Sequence, residues 1–167
     1  VLGDALDEDD ETFKVTLSNP NNATVADGEG AGTILDDDTA PTISIGDATA
    51  AEGGGSLVFT VTLSAASGKA ITVAYGTSGA TATSGVDFTA TSGTITFAPG
   101  ETSKTISVPI AADSLDEDDE TFKVTLSSPT NATIADEEGL GTILDDDAAP
   151  TISIGDATAT EGDSGTV

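Results

Sequence analysis

Apolar and polar residues alternate along much of this chain, and the alternation predicts its secondary structure. From Ser56 to Leu63, and again from Thr105 to Ile110 and from Thr121 to Ser127, every second residue is aliphatic or aromatic. Alternation with a period of two is typical of β-strands that bury one face. Short runs of Gly, Ser, Asn and Pro separate these segments, as expected for turns. No segment shows the helical period, so the pattern predicts an all-β protein.

The predicted strands are enough for a single sandwich. Further strands are predicted at 42–45, 71–75, 94–98, 132–134 and 141–144. About seven short strands joined by turns indicate an immunoglobulin-like antiparallel β-sandwich. The predicted core consists of the inward-facing residues Leu57, Phe59, Val61, Ile71, Val73, Tyr75, Ile95, Phe97, Ile106, Val108, Phe122, Val124, Leu126 and Ile143.

A long internal repeat divides the chain. Residues 115–162 repeat residues 6–53 at an offset of 109 positions, with 41 of 48 residues identical. Self-similarity at a fixed long period marks tandem units. The predicted organisation is the C-terminal part of one unit (1–38), a complete unit (41–147) and the N-terminal strand of the next (150–167). We therefore expect the sequence to be a window on a longer array of 109-residue repeats.

The composition excludes several functions. Asp and Glu number 30 against 4 Lys and Arg, the formal net charge is −26, and His, Cys, Met and Trp are absent. Nucleic acid and anionic membrane surfaces require basic patches, so neither is an expected partner. The absence of His and Cys excludes catalytic triads, thiol chemistry and ordinary zinc sites. No apolar run approaches the roughly 20 residues of a membrane span, so no direct membrane insertion is expected.

Acidic residues concentrate in two segments of each unit. Residues 113–120 and their counterparts 4–11 form one segment, and Asp145–Asp147 and Asp36–Asp38 form the other. Loops between consecutive strands of a sandwich alternate between its two ends, which places 113–120 and 145–147 at the same end. Like charges meeting there repel by several kcal/mol at an effective dielectric of about 20. Carboxylate oxygens are the ligands that calcium prefers, although a purely solvating role for the acids is the alternative.

Several motifs, taken in order, resemble the Calx-beta domain family. They are Pro41–Ile45, Glu52-Gly53, Ser84–Phe88, Gly93–Glu101, Thr105–Ile110, Glu120–Leu126 and Gly141–Asp147. The resemblance spans the complete unit and implies a seven-stranded sandwich that binds several calcium ions at one end. Where the family often has two acids before the acidic loop, this chain has Ala112 and Asp113. That departure weakens one of the implied ion sites.

The resemblance also implies a set of calcium ligands. In the complete unit these are Glu52, Asp87, Asp113, the backbone carbonyl of Leu115, Glu117, Asp145, Asp146 and Asp147. In the preceding copy the aligned residues are Asp4, Glu8, Asp36, Asp37 and Asp38, and in the following copy Glu161.

The functional hypothesis is a structural one. We expect a calcium-rigidified spacer or filament segment of a large extracellular, adhesin-like bacterial surface protein. Its partners would be neighbouring repeats of the same chain and other copies in a filament. The alternatives are a regulatory calcium sensor, as in sodium–calcium exchangers, and a ligand-recognising adhesin domain. An enzyme acting through paired carboxylates is not expected, because the sequence offers neither cleft-forming insertions nor aromatic sugar platforms.

Overall fold

A computed structural model of the chain describes residues 2–162. The described residues form β1 (Glu11–Thr16), β2 (Glu29–Ile34), β3 (Thr42–Ile45), β4 (Ala48–Ala51), β5 (Ser56–Leu63), β6 (Ile71–Gly79), β7 (Ser92–Phe97), β8 (Ser103–Pro109), β9 (Glu120–Thr130), β10 (Thr133–Ile134) and β11 (Glu138–Leu144). Within that range the only helical element is a 3-10 turn at Glu52–Gly54. The all-β prediction is confirmed. The described residues contain no helix long and apolar enough to cross a membrane.

The complete unit is built from two facing sheets. One has the strand order β10-β3-β5-β8, and the other β4-β11-β9-β6-β7. The unit therefore has nine strands, where the sequence predicted about seven. The main addition is β4, which joins the opposite sheet from β3 after a break at Gly46-Asp47. Its Ala and Thr residues carry no strong apolar alternation, so the pattern gave no signal for it.

The predicted sandwich is antiparallel, and the structure departs from that prediction at two strand pairs. β3 pairs with β10, and β4 with β11, in parallel. The remaining pairs of the sandwich, such as β5 with β8 and β6 with β9, are antiparallel. The parallel pairs arise because β3 and β4 follow one another along the chain but belong to different sheets. β3 lies beside β10 in one sheet, and β4 lies beside β11 in the other. This arrangement carries the chain from Pro41 at one end of the sandwich to Glu52 at the other.

The core lies between the sheets and follows the predicted alternation. Every predicted core residue is buried except Tyr75, which is only half-buried at the margin. Six hydrophobic residues outside the predicted core set are also buried, namely Ile43, Ile45, Leu63, Ala82, Phe88 and Ile110. Leu63 and Ile110 continue the predicted alternation, whereas Ala82 and Phe88 lie in the β6–β7 loop, which no periodic pattern covers. At the centre, Phe122 stacks on Phe88 with ring centroids 4.5 Å apart and meets Phe59 edge-on at 5.8 Å. Such aromatic pairs contribute about 0.5–1.5 kcal/mol beyond the area that they bury.

The incomplete copies lack such a core. β1 and β2 pair as an antiparallel ribbon in which Phe13 is 49% exposed, whereas its counterpart Phe122 is fully buried. The strand predicted to begin at 150 does not form in residues 151–162, and Ile152 there is 99% exposed. Its counterpart β3 obtains its hydrogen bonds from β5 and β10, and the described residues offer the later segment no equivalent partners. The rest of that predicted strand, 163–167, lies outside the described residues.

Candidate metal centre

Four separate segments bring carboxylates to one end of the complete unit, here called the acidic end. They are the turn after β4, the loop between β6 and β7, the loop between β8 and β9, and the residues after β11. A narrow cavity of about 20 Å³ lies among them and is lined by Glu52, Val86, Asp87, Ala111, Asp113, Glu117, Asp118, Glu120, Ile143 and Asp145. This volume is on the order of the space that one water molecule requires.

Glu52 is the most deeply placed acid of the acidic end. Its side chain sits in the 3-10 turn that separates β4 from β5, and the residue is only 9% exposed. Its Oε1 atom accepts a hydrogen bond of 2.6 Å from the backbone N–H of Asp113, which is 61 residues away in the chain. This bond holds the 113–120 loop against the turn.

The residues after β11 complete a compact carboxylate group. Oxygen atoms of Glu52, Asp146 and Asp147 all lie within 4.8 Å of one another. Gly53 permits this approach, because a Cβ at that position would lie only 3.2 Å from Asp146 Oδ2. Carboxylates this close repel one another unless they are protonated or share a cation.

An unpartnered oxygen marks the same place. The Oδ2 atom of Asp147 is buried and has no hydrogen-bond partner among the described residues. A buried oxygen without a partner is costly, and a bound cation would satisfy it. The donors around it are all oxygens, and six to eight oxygens are what calcium takes. The residues present therefore fit calcium.

Hydrogen bonds from backbone N–H groups to carboxylates shape the 113–120 loop and join it to the residues after β11. The N–H of Leu115 donates to Asp113 Oδ1 at 2.7 Å, an Asx turn that shapes the loop. The N–H of Asp145 donates to Asp119 Oδ1 at 3.1 Å. These bonds use one oxygen of each carboxylate. The side chain of Leu115 itself is exposed.

The pKa values of the cluster reflect burial and crowding. Burial, followed by repulsion from Asp113 and Asp87, raises the pKa of Glu117. Burial and then the neighbouring Asp145 and Asp146 raise the pKa of Asp147. Burial, reinforced by a side-chain hydrogen bond with Asp87, raises the pKa of Glu120 to about 7.

Glu120 and Asp118 also line the cavity but are not among the ligands that the resemblance implies. Glu120 is the more deeply placed of the two. The signal was available, because Glu120 is the first residue of β9 and shares a face with the buried Phe122 and Val124. Alternation therefore directs its carboxylate inward.

The preceding copy builds a similar acidic arrangement. Asp4, Glu8, Asp36, Asp37 and Asp38 line a common cavity. The same hydrogen bonds recur, with Leu6 N–H donating to Asp4 Oδ1 at 2.9 Å and Asp36 N–H to Asp10 Oδ1 at 3.0 Å. Asp4 and burial raise the pKa of Glu8, in that order of effect. Glu161 by contrast is exposed in a segment without regular structure, and the structure brings it to no described acidic group.

Comparisons with known proteins agree on one family. The Calx-beta domain matches residues 1–38 and again 36–158. Sodium/calcium exchanger 1 from Canis lupus familiaris is 43% identical over 68 residues, and that from Rattus norvegicus is 41% identical. These matches cover 41% of this chain, which spans only about 7% of the length of the exchangers.

Solved structures show the same fold. The apo-form Calx CBD1 domain superposes with a TM-score of 0.61 at 26% identity, covering 64% of this chain and 98% of that domain. A structure described as the calcium binding domain CBD12 of CALX1.1 gives a TM-score of 0.59 at 27% identity, covering 63% of this chain and 44% of that one.

Proposed function

The chain belongs to the Calx-beta domain family, and on that premise we propose that it is a non-catalytic calcium-binding module. The observation that carries the proposal is the buried, unpartnered Oδ2 atom of Asp147, within a group of carboxylate oxygens that lie within 4.8 Å of one another. A fold without cation ligands would not gain stability from such a group.

The proposed ligands are residues of the acidic end. Glu52, Asp146 and Asp147 form the nucleus, because their oxygens already converge. Asp87, Asp113, Glu117, Glu120 and Asp145 line the adjoining cavity and extend the oxygen set. The Leu115 carbonyl belongs to the same proposal. Calcium, when bound, supplies the positive charge that this group lacks.

The finer proposal is a regulatory calcium-sensing role. It is supported by the matched relatives, which are named as sodium/calcium exchangers, and by the fold shared with a calcium binding domain. The 113–120 loop suits such a role, since its residues are almost all exposed and its acids repel one another without a cation. Its arrangement therefore depends on charge more than on packing.

The substitution Asp147→Asn tests the ligand assignment. It keeps the shape of the side chain but removes the charge. We therefore expect at least one calcium-binding event to weaken by at least about tenfold, the loss that is typical even when only a residue supporting a metal ligand is changed. Isothermal titration calorimetry on the 167-residue chain measures this. Asp156→Asn is the matched control, because Asp156 is exposed and lies outside the acidic end. Equal binding by both variants and the parent would refute the assignment.

A spacer is the second candidate, and one specific observation favours it. Forty-one of 48 residues are identical between the two copies, a degree of repetition that suits an array more than a sensor. If the chain is a spacer, we propose that it lies outside the cell or on its surface, within a bacterial adhesin-like protein. Neighbouring repeats and other copies in a filament are then its partners.

A further inference from the structure

Two equivalent aspartates differ sharply in burial. Asp7 and Asp116 occupy the same position in the two copies, within the identical sequence Leu-Asp-Glu-Asp-Asp-Glu-Thr-Phe-Lys. Asp116 is exposed, whereas Asp7 is only 6% exposed. Local sequence cannot cause this difference. Its cause is the loop between β5 and β6 of the complete unit, which packs against Asp7 and has no counterpart beside Asp116 among the described residues.

The contacts of Asp7 come from three consecutive residues. Its backbone carbonyl accepts hydrogen bonds from the Gly68 N–H and the Ser67 hydroxyl, both at 3.0 Å. Its carboxylate lies 3.0 Å from Lys69 Nζ and 3.3 Å from Ser67 Oγ. A side chain at Gly68 would collide with Glu8, because a Cβ there would lie 2.7 Å from Glu8 Cγ. The loop is therefore shaped to receive the acidic segment.

Lys69 differs from the other lysines of the chain in the acid with which it pairs. Of the four lysines, Lys14, Lys104 and Lys123 pair with acids of their own copy, and only Lys69 pairs with another copy. Its side chain is 23% exposed and that of Asp7 is 8% exposed. Removing one partner of this partly buried ion pair would leave the other charge without its counter-ion, so the pair favours the arrangement in which Asp7 and Lys69 meet.

The contact between Asp7 and the β5–β6 loop lies at the end of the unit where the chain enters it. The loop follows β5, and the acidic end precedes β5, so the two lie at opposite ends of the sandwich. The chain enters the unit beside the loop, where Thr42 N–H donates to Ser64 Oγ at 2.9 Å. Only Thr39 and Ala40 separate Asp38 from the buried Pro41. The linker and the Asp7 contact thus restrain the preceding copy at two places.

We propose that Ser67-Gly68-Lys69 is a docking site for the aspartate of the acidic segment in the preceding copy, and that this contact sets the orientation of consecutive units. The docking does not rest on calcium binding, because every contact in it joins two protein groups. It gives the β5–β6 loop a role separate from that of the acidic end.

Spin-label distances test the proposal. The chain contains no Cys, so Thr33→Cys on β2 and Ser107→Cys on β8 place one label on each copy. Electron–electron double resonance in EGTA then reports the orientation of the copies in the absence of metal. We expect a narrow distribution in the parent chain, and a distribution at least about twofold broader in Asp7→Asn and Lys69→Gln. The ion pair is then lost, and only the linker and the two hydrogen bonds to the Asp7 carbonyl restrain the copies.

Matched substitutions serve as controls. Asp116→Asn makes the same change at the exposed equivalent position, and Lys104→Gln removes a lysine that pairs within its own copy through Glu101. Both should retain the narrow distribution. The double variant Asp7→Asn/Lys69→Gln should be no broader than Lys69→Gln, which by itself already removes the ion pairs of Lys69 with Asp7 and with Asp9. Distributions in Asp7→Asn and Lys69→Gln that match the parent, or equal broadening in Asp116→Asn, would overturn the proposal.

Discussion

The burial and the pKa of a carboxylate in this chain depend on its three-dimensional surroundings rather than on its neighbours in the sequence. Asp7 and Asp116 have identical neighbours in the chain, yet one is buried against a lysine and the other is exposed. Glu120 begins a strand and is partly buried beside Asp87, and this burial together with the neighbouring carboxylate raises its pKa to about 7. A carboxylate with this pKa changes its protonation state near neutral pH.

Glu120 therefore predicts a pH dependence of the metal-free chain. Its pKa is about 7 in the folded state against an ordinary value of 4.5. The folded state binds the proton more tightly, so this contribution to stability is fully present below pH 4.5 and is lost as the pH rises through 7. In EGTA we expect the melting temperature of the parent to fall over this window, and that of Glu120→Gln to fall less.

Thermal unfolding at a series of pH values measures the difference. Glu137→Gln, at an exposed position away from the acidic end, controls for the loss of one negative charge. If the melting temperatures of the parent and of Glu120→Gln fell equally between pH 4.5 and pH 7, the prediction would be contradicted.

The candidate site could be predicted in part, for physical reasons. Strand counting assigns Asp113 and Asp145 to one end because loops of a sandwich alternate, and both line the same cavity. The burial of Asp7 could not be predicted, because it depends on a contact with residues about 60 positions away. Phe88 was missed for a similar reason, since it lies in a loop that tertiary packing folds onto Phe122.

Among the elements, β11 depends on a glycine that packs against the aromatic centre of the core. Gly141 lies opposite Phe122 in the pairing with β9 and is buried. A Cβ at Gly141 would lie 2.7 Å from Phe122 Cζ and 2.9 Å from Phe59 Cζ. Both rings are fixed in the core, so they cannot move aside without disturbing their neighbours. The strand that leads into Asp145–Asp147 is thus held by the aromatic centre.

Gly141→Ala is accordingly expected to destabilise the fold. Overpacking of a well-packed core costs about 1–3 kcal/mol, which exceeds the 0.4–1 kcal/mol that an unstrained Gly→Ala change gains through the unfolded state. Chemical denaturation measures the free energy of unfolding. Gly76→Ala on β6 is the control, because its Cβ would meet nothing closer than Ser92 Cβ at 4.0 Å. An equal or higher stability of Gly141→Ala relative to Gly76→Ala would contradict this account.

At the element scale, the sequence pattern located strands better than it located their partners. The alternation at Ser56–Leu63 matches β5 residue for residue in burial. It gave no sign of β4, because Ala and Thr neither alternate strongly nor bury much surface there. Parallel pairing of β4 with β11 joins residues that are far apart in the chain, and local periodicity carries no information about such pairs.

For the whole molecule, the calcium concentration at the midpoint of binding distinguishes the two proposed roles. A net charge of −26 opposes compaction, and cation binding relieves it. We expect calcium at a hundredfold excess over Kd to raise the free energy of unfolding by about 2.7 kcal/mol. The melting temperature rises with it. The proposed sensing role predicts a midpoint in the micromolar range, and the spacer predicts one in the millimolar range.

A calcium titration followed by differential scanning calorimetry distinguishes these roles. Magnesium at the same concentrations is the control, because it requires a tighter octahedral site and keeps its waters. A melting temperature that neither calcium nor EGTA changes would exclude both roles.

The parallel pairing of β4 with β11 also has a mechanical consequence. The chain enters the unit before β3 and leaves it after β11, at opposite ends of the sandwich. Opposed pulling on these two points would slide β4 and β11 past each other along their length. Their inter-strand bonds, from Gly141 beside Ala48 to Leu144 beside Ala51, would then be loaded together rather than broken one by one. Tension along the chain is thereby resisted by the whole row of bonds between β4 and β11 at once.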